Sequence, residues 1–192
     1  PTPGKTNGSG FAGVVQDTKF DPDRGFYDAP FRATITCATP DAKIRYTIDG
    51  SKPTSSHGKV YQGPIQINTT TTLRAAAFQS GLRSSNVDTH TYLFAEDIIR
   101  QPAKPNDFPT TWNGHPADYE MDPEVVNNPV YKGRVAGALK SIPSLSLVLN
   151  RDDFFKTGQG IYPKGEGVEK ATSVELIYPK TQESKQADGS VQ

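Results

Sequence analysis

Cysteine is nearly missing from this chain. Cys37 is the single thiol among 192 residues, so no disulfide forms within the chain. That does not exclude export, because large bacterial surface proteins often do without disulfides. Cys37 falls in phase with Phe31, Ala33 and Ile35 and is expected as a small buried hydrophobe rather than a reactive thiol. Charge of one sign is missing too: 21 basic residues face 21 acidic ones, for a net charge of +0. No basic excess exists to hold a phosphate backbone, which excludes nucleic acid as a partner. Hydrophobic residues make up only 34%, too few for one tight globule, and no apolar run is long enough for a membrane span. His57, His90 and His115 stand far apart, without the spacing of a metal motif. No nucleophile elbow, C-x-x-C pair, phosphate loop or dinucleotide fingerprint occurs. Gly4–Gly10 (GKTNGSG) lacks a preceding strand and places its Lys-Thr before the glycines, so it is no phosphate loop. Pro1–Gly10 is polar and does not read as a signal peptide.

Turn chemistry is plentiful, with 17 Gly and 16 Pro. The organising stretch is Ile44–Thr54 (IRYTIDGSKPT). Ile44, Tyr46 and Ile48 alternate with polar residues, the period of a strand with one buried face. Asp49-Gly50 breaks that run, and Pro53 prevents its resumption. Strands are expected at Phe31–Ala38, Lys43–Asp49, Ile65–Asn68, Thr71–Gln79 and Val87–Phe94, short segments between Pro and Gly corners as in an antiparallel sandwich. The expected core is Ile35, Ile44, Tyr46, Ile48, Ile65, Ile67, Leu73, Ala75 and Ala77, with Tyr46 inward and the Asp49–Pro53 corner outside. His90, in Asp-Thr-His-Thr-Tyr, is placed on the exposed face of the last strand. The division is a linker at 1–14, a sandwich at 15–95, and a Pro-rich connector with short helices at 96–143. A small β unit at 144–180 and a polar tail at 181–192 follow. Asp122-Pro123 predicts a cap and first helical position for a helix to about Asn127, and a second short helix is expected over Val130–Leu139. Ser144–Asn150 and Ser173–Tyr178 are expected as strands of one small sheet, separate from the sandwich and open at its edges.

Carboxylates cluster in three places. Asp21, Asp23, Gly25 and Asp28 resemble a calcium loop, but Arg32 stands where the twelfth-position acid belongs. They read as turn residues. Asp118, Glu120 and Asp122 read as an acidic connector ending in a helix cap, and Asp152-Asp153 as turn caps. No metal site and no cofactor are expected, nor any catalytic residue. The remaining hint of function is aromatic, since planar rings stack on the apolar faces of sugars while polar neighbours take the hydroxyls. Trp112 with Asn113 and His115, together with Tyr61, form the candidate carbohydrate-binding set.

YTIDGSKPT, followed by VYQGPIQINTTTTLRAAAF at Val60–Phe78, resembles the C-terminal domain of chitobiases and β-hexosaminidases. That resemblance implies an all-β fold, an antiparallel β-sandwich of fibronectin type III (immunoglobulin-like) kind. It also implies a noncatalytic accessory role in a larger secreted bacterial protein. A second resemblance runs through MDPEVV, LKSIPSLSLVLNRDDFF, GQGIYPKGEG and SVELIYP, between Asp118 and Pro179. It is similar to the lead-in of proteins related to spore coat protein H (CotH), whose kinase-like catalytic part needs far more chain than remains after Ser144. The implied partners are neighbouring domains of a parent protein, a polysaccharide or cell-surface glycan, and a second copy through open strand edges. The implied location is extracellular or at the cell surface. The alternatives are a carbohydrate-binding module and the front end of a CotH-like atypical kinase.

Overall fold

The structure, a computed structural model, describes residues 10–112, 114–179 and 185–191, with the backbone alone at 112 and 185–191. The first strands are β1 (Thr18–Asp21), β2 (Gly25–Phe26), β3 (Phe31–Cys37) and β4 (Lys43–Thr47). They are followed by β5 (Lys59–Val60), β6 (Ile65–Ile67), β7 (Thr71–Phe78) and β8 (Asp88–Leu93). They make two facing sheets, ordered β1-β3-β6 and β2-β8-β7-β4-β5. Every pairing is antiparallel except the short parallel one between β2 and β8. This is the all-β sandwich that the alternating patterns require.

Ala33, Ile35 and Ile67 from the smaller sheet meet Leu73, Ala75, Tyr92 and Phe94 from the larger one. Ile44, Tyr46, Tyr61 and Ile65 pack around them, half-buried. Tyr92 is wholly buried, with the rings of Phe31 and Tyr27 edge-on at 5.1 and 5.6 Å. Its hydroxyl donates to the Pro22 carbonyl at 2.9 Å. A tyrosine suits this core because its polar end has that partner.

Tyr46 faces the core as expected, but the alternation stops one residue later. β4 ends at Thr47, whose buried hydroxyl donates to the Ser51 carbonyl at 2.6 Å and ties off the loop. Ile48 therefore turns out to solvent, 50% exposed, instead of joining the core. The corner is not wholly outside either: Asp49 is exposed, whereas Pro53 is fully buried, an apolar ring with no N–H to satisfy. Cys37 is half-buried at the end of its strand, its thiol donating to the Gln16 carbonyl at 3.2 Å.

The connector holds helix α1 (Ala95–Ile99) and a two-stranded ribbon of β9 (Thr111–Trp112) with β10 (His115–Pro116). Helices α2 (Pro123–Val126) and α3 (Val135–Leu139) follow. Asp122 caps α2 by accepting from the Glu124 amide at 2.8 Å, with Pro123 at its first position. The second helix is shorter than its expected span, starting at Val135 after a run of turns in which Gly133 removes helical drive. Then come β11 (Ser144–Val148), α4 (Arg151–Phe155), α5 (Ile161–Lys164), β12 (Lys170–Ile177) and β13 (Lys185–Val191). β11 and β12 pair antiparallel in a sheet separate from the sandwich. Lys185–Val191, expected as polar tail, adds to that sheet along β12, because backbone pairing alone extends an open edge. Asp152 and Asp153 lie in the first turn of α4, capped by Asn150.

Candidate functional site

The turn between β1 and β2 is short and polar, and Gly25 at φ +147° lets it fold tightly. Asp23 accepts from the Arg24 amide at 2.8 Å, so Arg24 can send its side chain inward. The guanidinium meets Asp23, Glu175 and His90. Its Nε lies 3.4 Å from Asp23 Oδ1, and one terminal nitrogen donates to Glu175 Oε1 at 3.1 Å. The other lies 3.1 Å from His90 Nε2. Arg24 belongs to the sandwich and Glu175 to the middle of β12, so this ion pair joins the two β units. Both side chains are almost sealed from water, at 9% and 0% exposed.

Glu175 also completes the edge of the sandwich. β2 reaches only Gly25, opposite Tyr92, which leaves the Thr91 amide without a strand beside it. Glu175 Oε1 takes that amide at 3.0 Å, and Oε2 accepts from the Thr91 hydroxyl. Ser146 of β11 bonds the same hydroxyl at 2.8 Å. Burial pushes the Glu175 carboxyl above its usual range, against the pull of Thr91 and Arg24.

His90 is the residue whose sequence placement was furthest off. It sits on the Tyr92 side of β8, buried, with Phe20 stacked on it at 4.1 Å and 11°. Arginine has no acceptor, so the Arg24 contact fixes His90 Nε2 as an unprotonated acceptor. The ring is then the neutral Nδ1–H form, with Nδ1 3.1 Å from Asp23 Oδ1 but off the line of a hydrogen bond. Burial, then the neighbouring Arg24 charge, hold its pKa down to about 3.

The Asp49-Gly50 corner lies at the same junction. Gly50, at φ +78°, leaves room for the carbonyl of Leu149 just past β11; a Cβ there would stand 3.0 Å from that oxygen. Arg74 reaches across to hold the Gly50 carbonyl at 2.8 Å. Lys140 pairs with Asp28, and Phe108 meets Phe155 edge-on at 5.9 Å. A cleft of about 700 Å³, lined in part by Phe108 and Phe155, opens between Thr69–Thr72 and Leu147–Leu149.

Trp112 and His115 are cross-strand partners in the β9–β10 ribbon, and His115 is exposed. The ring of Trp112 and all of Asn113 lie outside the described residues. Tyr61 stands in the sandwich, where its hydroxyl accepts from the Ile35 amide at 3.1 Å and its ring meets Tyr46 edge-on. Asp118 and Glu120 stay in the connector, where Asp118 accepts from the Glu120 amide. Asp23 and Asp28 serve Arg24 and Lys140. Among the described residues, no three His, Cys, Asp or Glu side chains gather where they could hold a metal ion. Ser51 and His57 meet at 2.8 Å, yet Ser51 also lies 2.5 Å from Asp49, which draws its only proton. A nucleophilic serine must give that proton to the histidine instead.

The Arg24–Glu175 contact was not legible beforehand, because 151 residues separate its members. A glutamate in the apolar run Ser-Val-Glu-Leu-Ile-Tyr was the one available signal. A charge inside a strand pattern calls for a buried partner.

Residues 22–89 match the family model of the chitobiase/beta-hexosaminidase C-terminal domain. No curated protein and no solved structure matches the chain. The match covers the sandwich from Pro22 to Thr89 and does not reach the second resemblance, between Asp118 and Pro179.

Proposed function

We propose that this chain is a noncatalytic extracellular accessory module whose sandwich holds the following β unit at a fixed orientation within a larger protein. The observation that carries the reading is the buried Arg24–Glu175 pair across the two units. A sealed, directional contact sets an angle, whereas a linker sets only a distance. The family match supports an accessory sandwich over 22–89. No helix of the described residues is long and apolar enough to cross a membrane.

The test attaches a fluorescent dye pair at Thr36 and Gln159, both exposed and one in each unit, by cysteine substitution on a Cys37→Ser background. Single-molecule energy transfer at pH 7.5 is expected to give one narrow population. Arg24→Met is expected to broaden it, and an unchanged narrow population would overturn the reading. Kinase and glycosidase assays on the chain are expected to be blank.

A second reading, weak contact with a polysaccharide or surface glycan, is favoured by the pairing of Trp112 with the exposed His115 on one ribbon. Trp112→Ala is expected to reduce any retention on immobilised glycan, and equal retention would end this reading.

A further inference from the structure

Arg24 is held between two groups with opposite demands. Glu175 binds it as an anion, and His90 binds it as a neutral acceptor through Nε2. A proton placed on Nε2 turns that acceptor into a donor aimed at another donor, and sets two cations 3.1 Å apart. The ring cannot swing away, because Phe20 covers its face and the rest of it is buried in β8. Arg24 must move instead, and Glu175 loses the guanidinium donor that joins it to the sandwich.

We propose that His90 makes the junction acid-sensitive: protonation of its Nε2 drives Arg24 out from beside Glu175 and undocks the β11–β12–β13 sheet from the sandwich. This rests on the reading of the Arg24–Glu175 pair as the orienting contact, and adds its regulation.

The charged and titratable groups facing His90 are Arg24 and Asp23, both from the β1–β2 turn, and Tyr92, whose ring lies 6.3 Å away and which burial keeps neutral, with Glu175 reached through Arg24. Asp23 favours the protonated ring, but burial and Arg24 outweigh it and keep the docked ring neutral down to about pH 3. Once Arg24 has left, its charge no longer holds the ring down, so the undocked pKa lies higher, toward the ordinary value of about 6.5. The undocked form therefore binds the extra proton between those limits, and acid favours it. Glu175 works in the opposite direction. Its carboxyl is raised in the docked form, so falling pH favours docking until both forms are protonated, below about 4.5. Above about pH 4.5, wherever Glu175 titrates, the two oppose each other. From 4.5 down to about 3, His90 is the one of these two that titrates.

In that lower window the undocked population is expected to rise by about tenfold per pH unit, the slope of a single proton. The experiment uses the same dye pair on the full chain from pH 7.5 to 3.5, while near-ultraviolet dichroism of the buried tyrosines follows the sandwich. Wild type is expected to undock below pH 4.5 with that dichroism intact. His90→Gln, which keeps a side-chain acceptor but gains no proton, is expected to stay docked throughout. Wild type remaining docked at pH 3.5, or His90→Gln undocking in parallel with it, overturns the proposal. If Arg24→Met stays docked at pH 7.5, the orienting contact itself fails. If Arg24→Met undocks but wild type resists acid, only the acid sensitivity fails. Should His90→Gln not fold, ring-carbon resonances of His90 in wild type decide the matter. Neutral imidazole shifts down to pH 4.5 support the proposal, and titration near 6.5 overturns it.

Discussion

Single residues carry the junction, and their positions show where a linear pattern stops being informative. His90, expected on the exposed face of its strand, shares period 2 with Tyr92, which lies at the centre of the core. Its burial was not legible because the neutralising partners, Phe20 and Arg24, come from 66 or more residues earlier in the chain. Ile48 went wrong in the opposite sense: its alternation with Tyr46 was correct, but Thr47 ends the strand by bonding Ser51. For the buried pair, the energetic prediction follows from asymmetry. Arg24→Met leaves Glu175 buried without a cation and is expected to cost about 3–5 kcal/mol in denaturant unfolding of the full chain. Adding Glu175→Leu should recover part of that loss, because the stranded charge is gone. A double variant no more stable than Arg24→Met alone would show that the pair is not what makes the single change costly.

Elements were legible in proportion to their length and burial. The strands over 31–37, 65–67, 71–78 and 88–93 lie within two residues of their expected ends, since each contributes alternating side chains to one core. β1, β2 and β5 escaped notice, being short edge or bridging pieces held by backbone pairing more than by side-chain pattern. The candidate site was almost illegible, because it is made where the ends of such pieces meet a strand from another unit. Turn chemistry remained readable throughout, as the Asp122 cap shows. Asp122→Ala removes the acceptor for the Glu124 amide and is expected to cost about 0.5–2 kcal/mol. α2 buries no side chain, so the loss should be local. Hydrogen exchange is expected to quicken over 123–127 and leave β7 and β8 unchanged; faster exchange in those strands would contradict a local role.

At the scale of the molecule, the second sheet docks through a mixed polar and apolar face. The face towards the sandwich carries the buried Val148 and Ile177 beside Ser146, Ser173 and Glu175, and bonds Thr91 and Arg24. Leu145 and Leu147, on the other face of β11, are 62% and 47% exposed. The polar contacts thus add direction to an apolar seam, while Leu145 and Leu147 are left facing solvent on an edge strand. The reverse orientation, with Leu145 and Leu147 inward, would differ in which substitutions it tolerates. Leu147→Lys exchanges one exposed side chain for another and is expected to change stability by no more than about 0.5 kcal/mol. Ser173→Lys puts an ammonium at a site with no exposure at all and is expected to cost several kcal/mol, roughly 3 or more. Parallel denaturant titrations of the two variants separate the cases: comparable losses, or a larger loss for Leu147→Lys, would mean that β11 packs on the sandwich through its leucines.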